Sequence, residues 1–139
     1  MKHSAIIVAG GSGSRMRASM PKQFMLLKGE PVLFHNIRAF HSFDPTIRLI
    51  IVLPEAHHGT WADLCEQRSL FVPHEVVSGG AERFHSVKAG VDLLDDEGLV
   101  AVHDGVRPLI SVDLITRCFN AAGDFGSAVP VVPINSSVR

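Results

Sequence analysis

The 139-residue sequence predicts an α/β protein, a three-layer sandwich in which helices cover both faces of a mostly parallel sheet. Short apolar runs alternate along the chain with segments whose apolar residues recur at helical spacing. Glycine-rich or Asp-Gly turns follow three of these runs, as expected where buried strands reach the surface. Apolar residues make up 46% of the chain and charged residues 19%, which is typical of a compact protein, and the length suits a single domain, residues 1–139.

The first predicted strand, residues 5–9, runs into a glycine-rich loop. Gly10, Gly11 and Gly13 allow the backbone to approach a ligand closely and to direct successive N–H groups at an anion. The loop is also locally basic, because five cations precede the first acidic residue, Glu30: Lys2, Arg15, Arg17, Lys22 and Lys28. The sequence therefore predicts a phosphate-binding loop at the end of the first strand.

After the loop, residues 24–27 form a short apolar segment that a turn at 28–30 closes. Pro31 suits the first position of a helix. The apolar face of that helix contains Leu33, Ile37, Phe40 and His41. Residues 47–53 are nearly all apolar and rich in β-branched side chains, which predicts a strand that is buried on both faces and ends at Pro54.

The next elements repeat this alternation. Thr60 with Asp63 predicts a capped helix that continues to about Arg68, and a weaker strand follows at 71–77. A second glycine junction, residues 78–80, precedes another predicted helix. Its inward side chains are expected to be Phe84, Val87, Val91 and Leu94.

The last third of the chain predicts a strand at 99–103, which Asp104-Gly105 ends. Ser111 is the predicted cap of a further helix. The core face of that helix contains Leu114, Ile115, Cys118 and Ala122. A final strand is predicted at 127–134, where two prolines favour an edge position.

Strands that alternate with helices imply right-handed crossovers and a mostly parallel sheet. Ligands of such sheets bind at the carboxyl ends of the strands. Three loops are predicted at that edge: residues 10–17, 78–86 and 104–108.

Spacing separates three kinds of phosphate loop at residues 10–17. A Walker A loop is excluded, because no Gly-Lys pair follows the glycines. The dinucleotide pattern begins at 11–13, but Met16 stands where its third glycine belongs. The remaining interpretation is a glycine loop followed by Arg15 and Lys22, whose fixed charges suit phosphoryl or nucleotidyl transfer.

Composition narrows the possible partners. A net charge of -1 and a pI near 6.7 provide no general basic field for nucleic acid or an anionic membrane. The sequence has neither a signal peptide nor an apolar stretch of about 18 residues, so we expect a cytoplasmic protein.

Cys65 and Cys118 form no C-x-x-C pair, which is typical of reduced thiols. The eight histidines lack metal-ligand spacing, even at His57-His58 near Cys65, and we interpret them as surface residues.

Three separated segments resemble one family in the same order: AGGSGSRMRASMPKQF, SGGAERFHSVKAG and HDGVRP. The resemblance is to 2-C-methyl-D-erythritol 4-phosphate cytidylyltransferases, enzymes of non-mevalonate isoprenoid synthesis. It implies a Rossmann-like fold of the nucleotide-diphospho-sugar transferase type and a homodimer. The implied reaction transfers CMP from CTP to the sugar-alcohol phosphate, with Mg²⁺ as cofactor, and releases pyrophosphate.

The resemblance assigns the first loop to the triphosphate. The β- and γ-phosphates of CTP would contact Ala9, Gly10, Gly11, Ser12 and Gly13. Arg15 and Lys22 would be the catalytic residues, since they would stabilise the charge that builds on the α-phosphate as it becomes five-coordinate.

The same resemblance assigns the second glycine turn to the cytosine base. The matching residues are Gly79, Gly80, Ala81, Arg83 and Ser86. Taken alone, Ser86 has a simpler interpretation as a helix-surface serine, and Arg83 as an ion-pair partner of Glu82.

The third loop carries Asp104 and Arg107. Mg²⁺ prefers one or two carboxylates together with substrate phosphates, so Asp104 could bind the metal directly or through water, or could bond a sugar hydroxyl. An ordinary Asp-Gly turn is the alternative. Arg107 would contact a phosphate or brace the loop.

The chain departs from the family pattern at two places. The family usually has two alanines where Gly105-Val106 stand, and an Asp-Thr pair where this chain has Ser136-Ser137. The family also continues past the position of Arg139. We therefore expect the chain to contain the nucleotide half of the site, without the C-terminal portion and dimer arm.

Three other functions stay open at this point. A ribitol-5-phosphate cytidylyltransferase would share these motifs. A non-catalytic nucleotide-binding module would keep the loops without turnover. A dinucleotide-dependent oxidoreductase is a distant third.

Overall fold

The computed structural model describes residues 2–9, 24–80, 82–94, 98–105 and 110–125. In chain order the elements are β1 (His3–Val8), β2 (Leu26–Leu27), β3 (Glu30–Pro31), α1 (Val32–Phe43), β4 (Arg48–Leu53), a 3₁₀ turn (Glu55–His57), α2 (His58–Gln67), β5 (Glu75–Ser78), α3 (Arg83–Val91), β6 (Leu99–Asp104) and α4 (Val112–Phe125). The main sheet has the order β5-β4-β1-β6, and every described pair in it is parallel. The predicted α/β fold is confirmed.

Two apolar clusters lie on opposite faces of this sheet, which confirms the three layers. Alternate residues of a strand point to opposite faces. Ile7 belongs to the cluster that α1, α2 and α4 cover, whereas Ile6 belongs to the cluster that α3 covers. Because helices bury both faces, β1 and β4 are apolar at successive positions, as their sequences predict.

The strand order reverses beside β1. The chain first adds β4 and then β5 on one side of β1, and afterwards returns to place β6 on the other side. A right-handed crossover that reverses direction carries its helix to the opposite face, and α3 lies on that face. In open parallel sheets, the carboxyl edge beside such a reversal is where ligands bind.

Several local predictions are confirmed. The turn after β2 places Lys28 and Gly29 at φ values of 54° and 85°, which favours glycine at the second position. Ser111 caps α4, since the Leu114 N–H donates to its Oγ over 3.0 Å. On α1, the predicted core residues Leu33, Ile37 and Phe40 are fully buried, whereas His41 is half-buried.

Other local predictions are wrong in detail. The 3₁₀ turn after Pro54 starts the helical backbone early, so Thr60 lies inside α2 and does not cap it. The weak strand begins only at Glu75, and Phe71 is 81% exposed. Helix α1 begins at Val32, with Pro31 as its N-terminal flanking residue.

The largest correction concerns α3. Its predicted inward residues Phe84 and Val91 are 68% and 45% exposed, whereas Val87 and Leu94 do pack against the core. The buried positions of α3 are Ser86 and Gly90, which are small enough to bring the helix close to the sheet.

Helix α4 also differs in part from its prediction. Ile115 and Ala122 are buried as expected, Leu114 and Cys118 are half-buried, and Phe119 is an additional core residue. The predicted strand at 127–134 lies outside the described residues. Within the described ranges, each helix is too short or too polar to span a bilayer.

Candidate nucleotide site

The ends of β1, β5 and β6 meet at one edge of the sheet. The Ala9 N–H donates to the Val52 carbonyl over 2.9 Å, which ties the end of β1 to β4. The Gly79 N–H donates to Leu53 over 3.0 Å, and the Gly105 N–H to Val8 over 2.8 Å. The described end of β1, which precedes the first predicted loop, and the described beginnings of the other two loops therefore lie along the carboxyl edge of the strands.

The turn after β6 packs closely against the end of β1. A Cβ atom at Gly105 would lie 3.0 Å from the Ala9 Cβ and 3.2 Å from Ile7, both of which belong to the core. Leu33 is a further neighbour at 3.3 Å. Glycine at this departure from the family pattern thus permits a close approach between the turn after β6 and the end of β1.

Asp104 is the last residue of β6, and its side chain is half-buried at this edge. Its position beyond an apolar strand is the one that the sequence predicts. Among the described residues, no three His, Cys, Asp or Glu side chains form a group that could hold a metal ion.

A buried polar pair lies beneath this turn, and the sequence analysis missed it. Asn36 of α1 and His103 of β6 are both fully buried. The Asn36 Nδ2 donates to the Gly105 carbonyl over 3.0 Å, and its Oδ1 lies 3.1 Å from the His103 Nε2. The available signal was a polar residue on the apolar face of a predicted helix. For His103, the interpretation as a surface histidine is wrong.

The second loop also requires glycines for reasons of space. A Cβ on Gly79 would lie 2.6 Å from the Ser86 Oγ, and a Cβ on Gly80 would collide with the His85 Cβ. Ser86 is only 2% exposed, so its interpretation as a helix-surface serine is wrong. Its hydroxyl instead lies at the turn that follows β5. Arg83 begins α3 with an exposed side chain.

The structure thus brings together part of the predicted site. The described members are Ala9, Gly79, Gly80, Arg83, Ser86 and Asp104. The other predicted members lie outside the described residues: Gly10, Gly11, Ser12, Gly13, Arg15, Lys22, Ala81 and Arg107. Their roles stay predictions.

Other chemically versatile side chains lie outside this edge. The His58 imidazole contacts the Leu53 carbonyl through its Nε2, at 3.1 Å. Both cysteines are free. Burial raises the pKa of the Cys65 thiol to about 11, so this thiol stays protonated near neutral pH and is a poor nucleophile or metal ligand.

The fold defines a class, the open α/β proteins, whose ligands bind at the carboxyl edge of a parallel sheet. The family model of 2-C-methyl-D-erythritol 4-phosphate cytidylyltransferase (IspD) matches residues 3–139. The chain belongs to this family.

Similar proteins agree with this assignment. The chain is 45% identical over 139 residues to the 2-C-methyl-D-erythritol 4-phosphate cytidylyltransferase of Bacteroides thetaiotaomicron, and covers 64% of that protein. It is 47% identical over 134 residues, 96% of this chain, to the enzyme of the same name from Azobacteroides pseudotrichonymphae, and covers 60% of it. The chain therefore spans a little under two thirds of the length of these curated relatives.

A solved structure shows the same architecture. The crystal structure of 4-diphosphocytidyl-2C-methyl-D-erythritol synthase from Anaerococcus prevotii superposes with a TM-score of 0.70 at 29% identity, over 86% of this chain and 50% of that one. The bifunctional IspDF of Campylobacter jejuni, at 24% identity and a TM-score of 0.68, covers 89% of this chain and 31% of that one, and shares the fold.

Proposed function

We propose that the chain transfers CMP from CTP to 2-C-methyl-D-erythritol 4-phosphate. The observation that carries the proposal is the meeting of three strand ends at one edge, in a chain that belongs to this family. Each of these ends opens into one of the segments that the family resemblance assigns to CTP. A homodimer and a cytoplasmic location are part of the same proposal, and both rest on the family.

The proposed reaction needs no protein base. A phosphate monoester is already largely ionised near neutral pH. One of its oxygens attacks the α-phosphorus of CTP, the bond from that phosphorus to the β-phosphate bridge oxygen breaks, and pyrophosphate leaves. The protein then contributes positioning and charge stabilisation, which dominate catalysis of this type. We assign the stabilising charges to Arg15 and Lys22, and the cradle of the β- and γ-phosphates to residues 9–13.

We further propose that Asp104 holds Mg²⁺ together with the nucleotide phosphates. The donor set fits, because the described part of the site offers one half-buried carboxylate and leaves the remaining ligand positions to phosphate and water. When bound, the ion neutralises phosphate charge. The cytosine would contact Gly79, Gly80, Ala81 and Ser86. Arg83 would lie beside these residues, and Arg107 would lie near the phosphates.

The direct test is release of pyrophosphate from CTP and Mg²⁺ by the 139-residue chain. We expect release with 2-C-methyl-D-erythritol 4-phosphate and none without an acceptor. Release with ribitol 5-phosphate instead would reassign the acceptor. Binding of CTP without turnover would limit the chain to a nucleotide-binding role, and absence of CTP binding would contradict the proposal altogether.

A matched pair of variants tests the proposed role of Lys22. Lys22→Ala should lower the rate about 10²–10³-fold, because it removes a preorganised charge at the transition state, and should weaken CTP binding much less. Lys88→Ala is the control, since the Lys88 ammonium is exposed on α3 and pairs with Asp92 over 3.0 Å. Equal rates in the two variants would remove Lys22 from the mechanism.

A further inference from the structure

A buried hydrogen-bond network connects α1 to the turn that carries Asp104. Asn36 donates from Nδ2 to the Gly105 carbonyl and accepts at Oδ1 from the His103 Nε2. An amide oxygen can only accept, so the His103 Nε2 must carry a proton, and the reverse orientation of the amide would place two oxygens face to face at Gly105. The geometry therefore specifies both the amide orientation and the proton on His103 Nε2.

The two hydrogen bonds of Asn36 join it to the residues on either side of Asp104. His103 precedes Asp104, and Gly105 follows it. The Gly105 N–H also donates to Val8, so the turn is fixed from the sheet as well as from the helix. A fully buried amide on an otherwise apolar helix face gives up its hydration, and its hydrogen bonds with the Gly105 carbonyl and the His103 imidazole compensate for it.

We propose that Asn36 is a positioning residue, which fixes the 103–105 turn and thereby the Asp104 carboxylate against the bound nucleotide or its metal ion. This inference rests on the proposed function, in which Asp104 faces CTP. Asn36 itself lies in the core and touches no substrate in this scheme. Its effect on catalysis passes through the Gly105 carbonyl and the His103 side chain, which flank Asp104.

A double-mutant cycle tests whether Asn36 acts through Asp104. We expect Asn36→Leu to lower kcat/KM for CTP by about tenfold to 100-fold, since small misplacements of a reacting group have effects of this size. Asp104→Asn should lower it as well, and the double variant should be no slower than Asp104→Asn alone. Losses that multiply would overturn the inference. If the chain binds CTP without turnover, the same cycle applies to the Kd of CTP with Mg²⁺.

The isosteric variant Asn36→Asp adds a readout that a merely structural role would not move. The introduced carboxyl can donate to the Gly105 carbonyl only while it is protonated. Burial raises the pKa of such a group, and the adjacent His103 imidazole lowers it whenever the imidazole is protonated. The activity of Asn36→Asp relative to the unaltered chain should therefore fall about tenfold as pH rises and the carboxyl ionises. The relative activity of Asn36→Leu should stay constant with pH. A constant ratio for both variants would contradict the inference.

Hydrogen exchange separates this inference from the proposed function. Asn36→Leu should accelerate amide exchange in residues 103–105 by about tenfold, because a lost buried hydrogen bond has an effect of that size, and should leave β4 unchanged. If amide exchange at residues 103–105 is unchanged in Asn36→Leu, the proposal that Asn36 fixes these residues is overturned, even if the enzyme is active. Conversely, an unaltered chain that neither binds nor turns over CTP would overturn the proposed function, whatever the exchange shows.

Discussion

At the scale of single residues, Asp44 joins the end of α1 to the start of β1. Its Oδ2 lies 2.8 Å from the His3 Nδ1. Its Oδ1 accepts from the Thr46 hydroxyl over 2.7 Å and from the Thr46 N–H over 2.9 Å. These hydrogen bonds, that of the Thr46 hydroxyl first, hold the pKa of Asp44 below its usual value.

This pKa shift predicts a pH-dependent contribution to stability. A carboxyl whose folded-state pKa is lowered stabilises the protein above its unfolded pKa of about 3.9, and the contribution disappears as pH falls through the folded value. Asp44→Asn should therefore lower the free energy of unfolding by about 1 kcal/mol near pH 7 and have little effect near pH 2. Urea unfolding at both pH values measures this. Asp63→Asn, on the exposed face of α2, is the control and should be neutral at both. An equal loss for Asp44→Asn at both pH values would indicate lost packing and contradict the charge argument.

Some residues of the candidate site can be predicted from the sequence, and others cannot. Asp104 and the glycines at 79 and 80 follow from strand ends and turn chemistry, and the structure places them at one edge. Asn36 could not be assigned to this site, because its partners are 67 and 69 residues away in sequence and only the folded sheet brings them together. Ser86 was ambiguous for the same reason, since its burial depends on how closely α3 approaches the sheet.

At the scale of elements, α3 packs on β1 through small residues. Gly90 is buried, and a Cβ atom there would lie 2.7 Å from the Ile6 Cγ2 and 3.1 Å from two further Ile6 atoms. Ile6 is itself fully buried in the middle of the sheet. An added methyl group at position 90 would therefore require Ile6 or α3 to shift.

Two glycine-to-alanine substitutions should have opposite effects. Gly90→Ala should destabilise the protein by about 1–3 kcal/mol, because the added methyl group overpacks the contact with Ile6. Gly59→Ala, in the exposed first turn of α2, meets nothing within 4 Å and should stabilise by about 0.5 kcal/mol through helix propensity. Denaturant unfolding of both variants measures the difference. A neutral Gly90→Ala would mean that α3 lies further from the sheet than described.

The elements that are predicted best from the sequence are the central strands, whose continuous apolar runs follow from burial inside the sheet. Strands β1 and β4 are buried on both faces, so their apolar runs identify them directly. The inward face of helix α3 is predicted only in part: Val87 packs against the core as expected, whereas the large residue Phe84 is exposed and the contact with the sheet uses Gly90. Prediction of a buried helix face from periodicity relies on large apolar side chains, so it does not identify the face of a helix that packs through small residues.

At the scale of the whole molecule, the reversal of strand order decides where the site lies. β4 and β5 extend the sheet on one side of β1, and β6 pairs on the other. The end of β1 therefore has the turn after β6 as its neighbour, and the turn after β5 follows across β4. From the family assignment of the loops we expect a nucleotide to bind at this edge with its triphosphate near β1 and its base near β5.

The central claim is that the carboxyl edge of β1 binds the triphosphate of CTP. A crystal structure of the chain with CTP and Mg²⁺ tests this claim most directly. We expect the triphosphate against residues 10–22, the cytosine against Gly79, Gly80 and Ser86, and the Arg15 and Lys22 side chains directed at the α-phosphate. Asp104 should lie within reach of the metal ion or the ribose. A nucleotide bound away from the carboxyl edge of β1, with Arg15 and Lys22 turned to solvent, would contradict it.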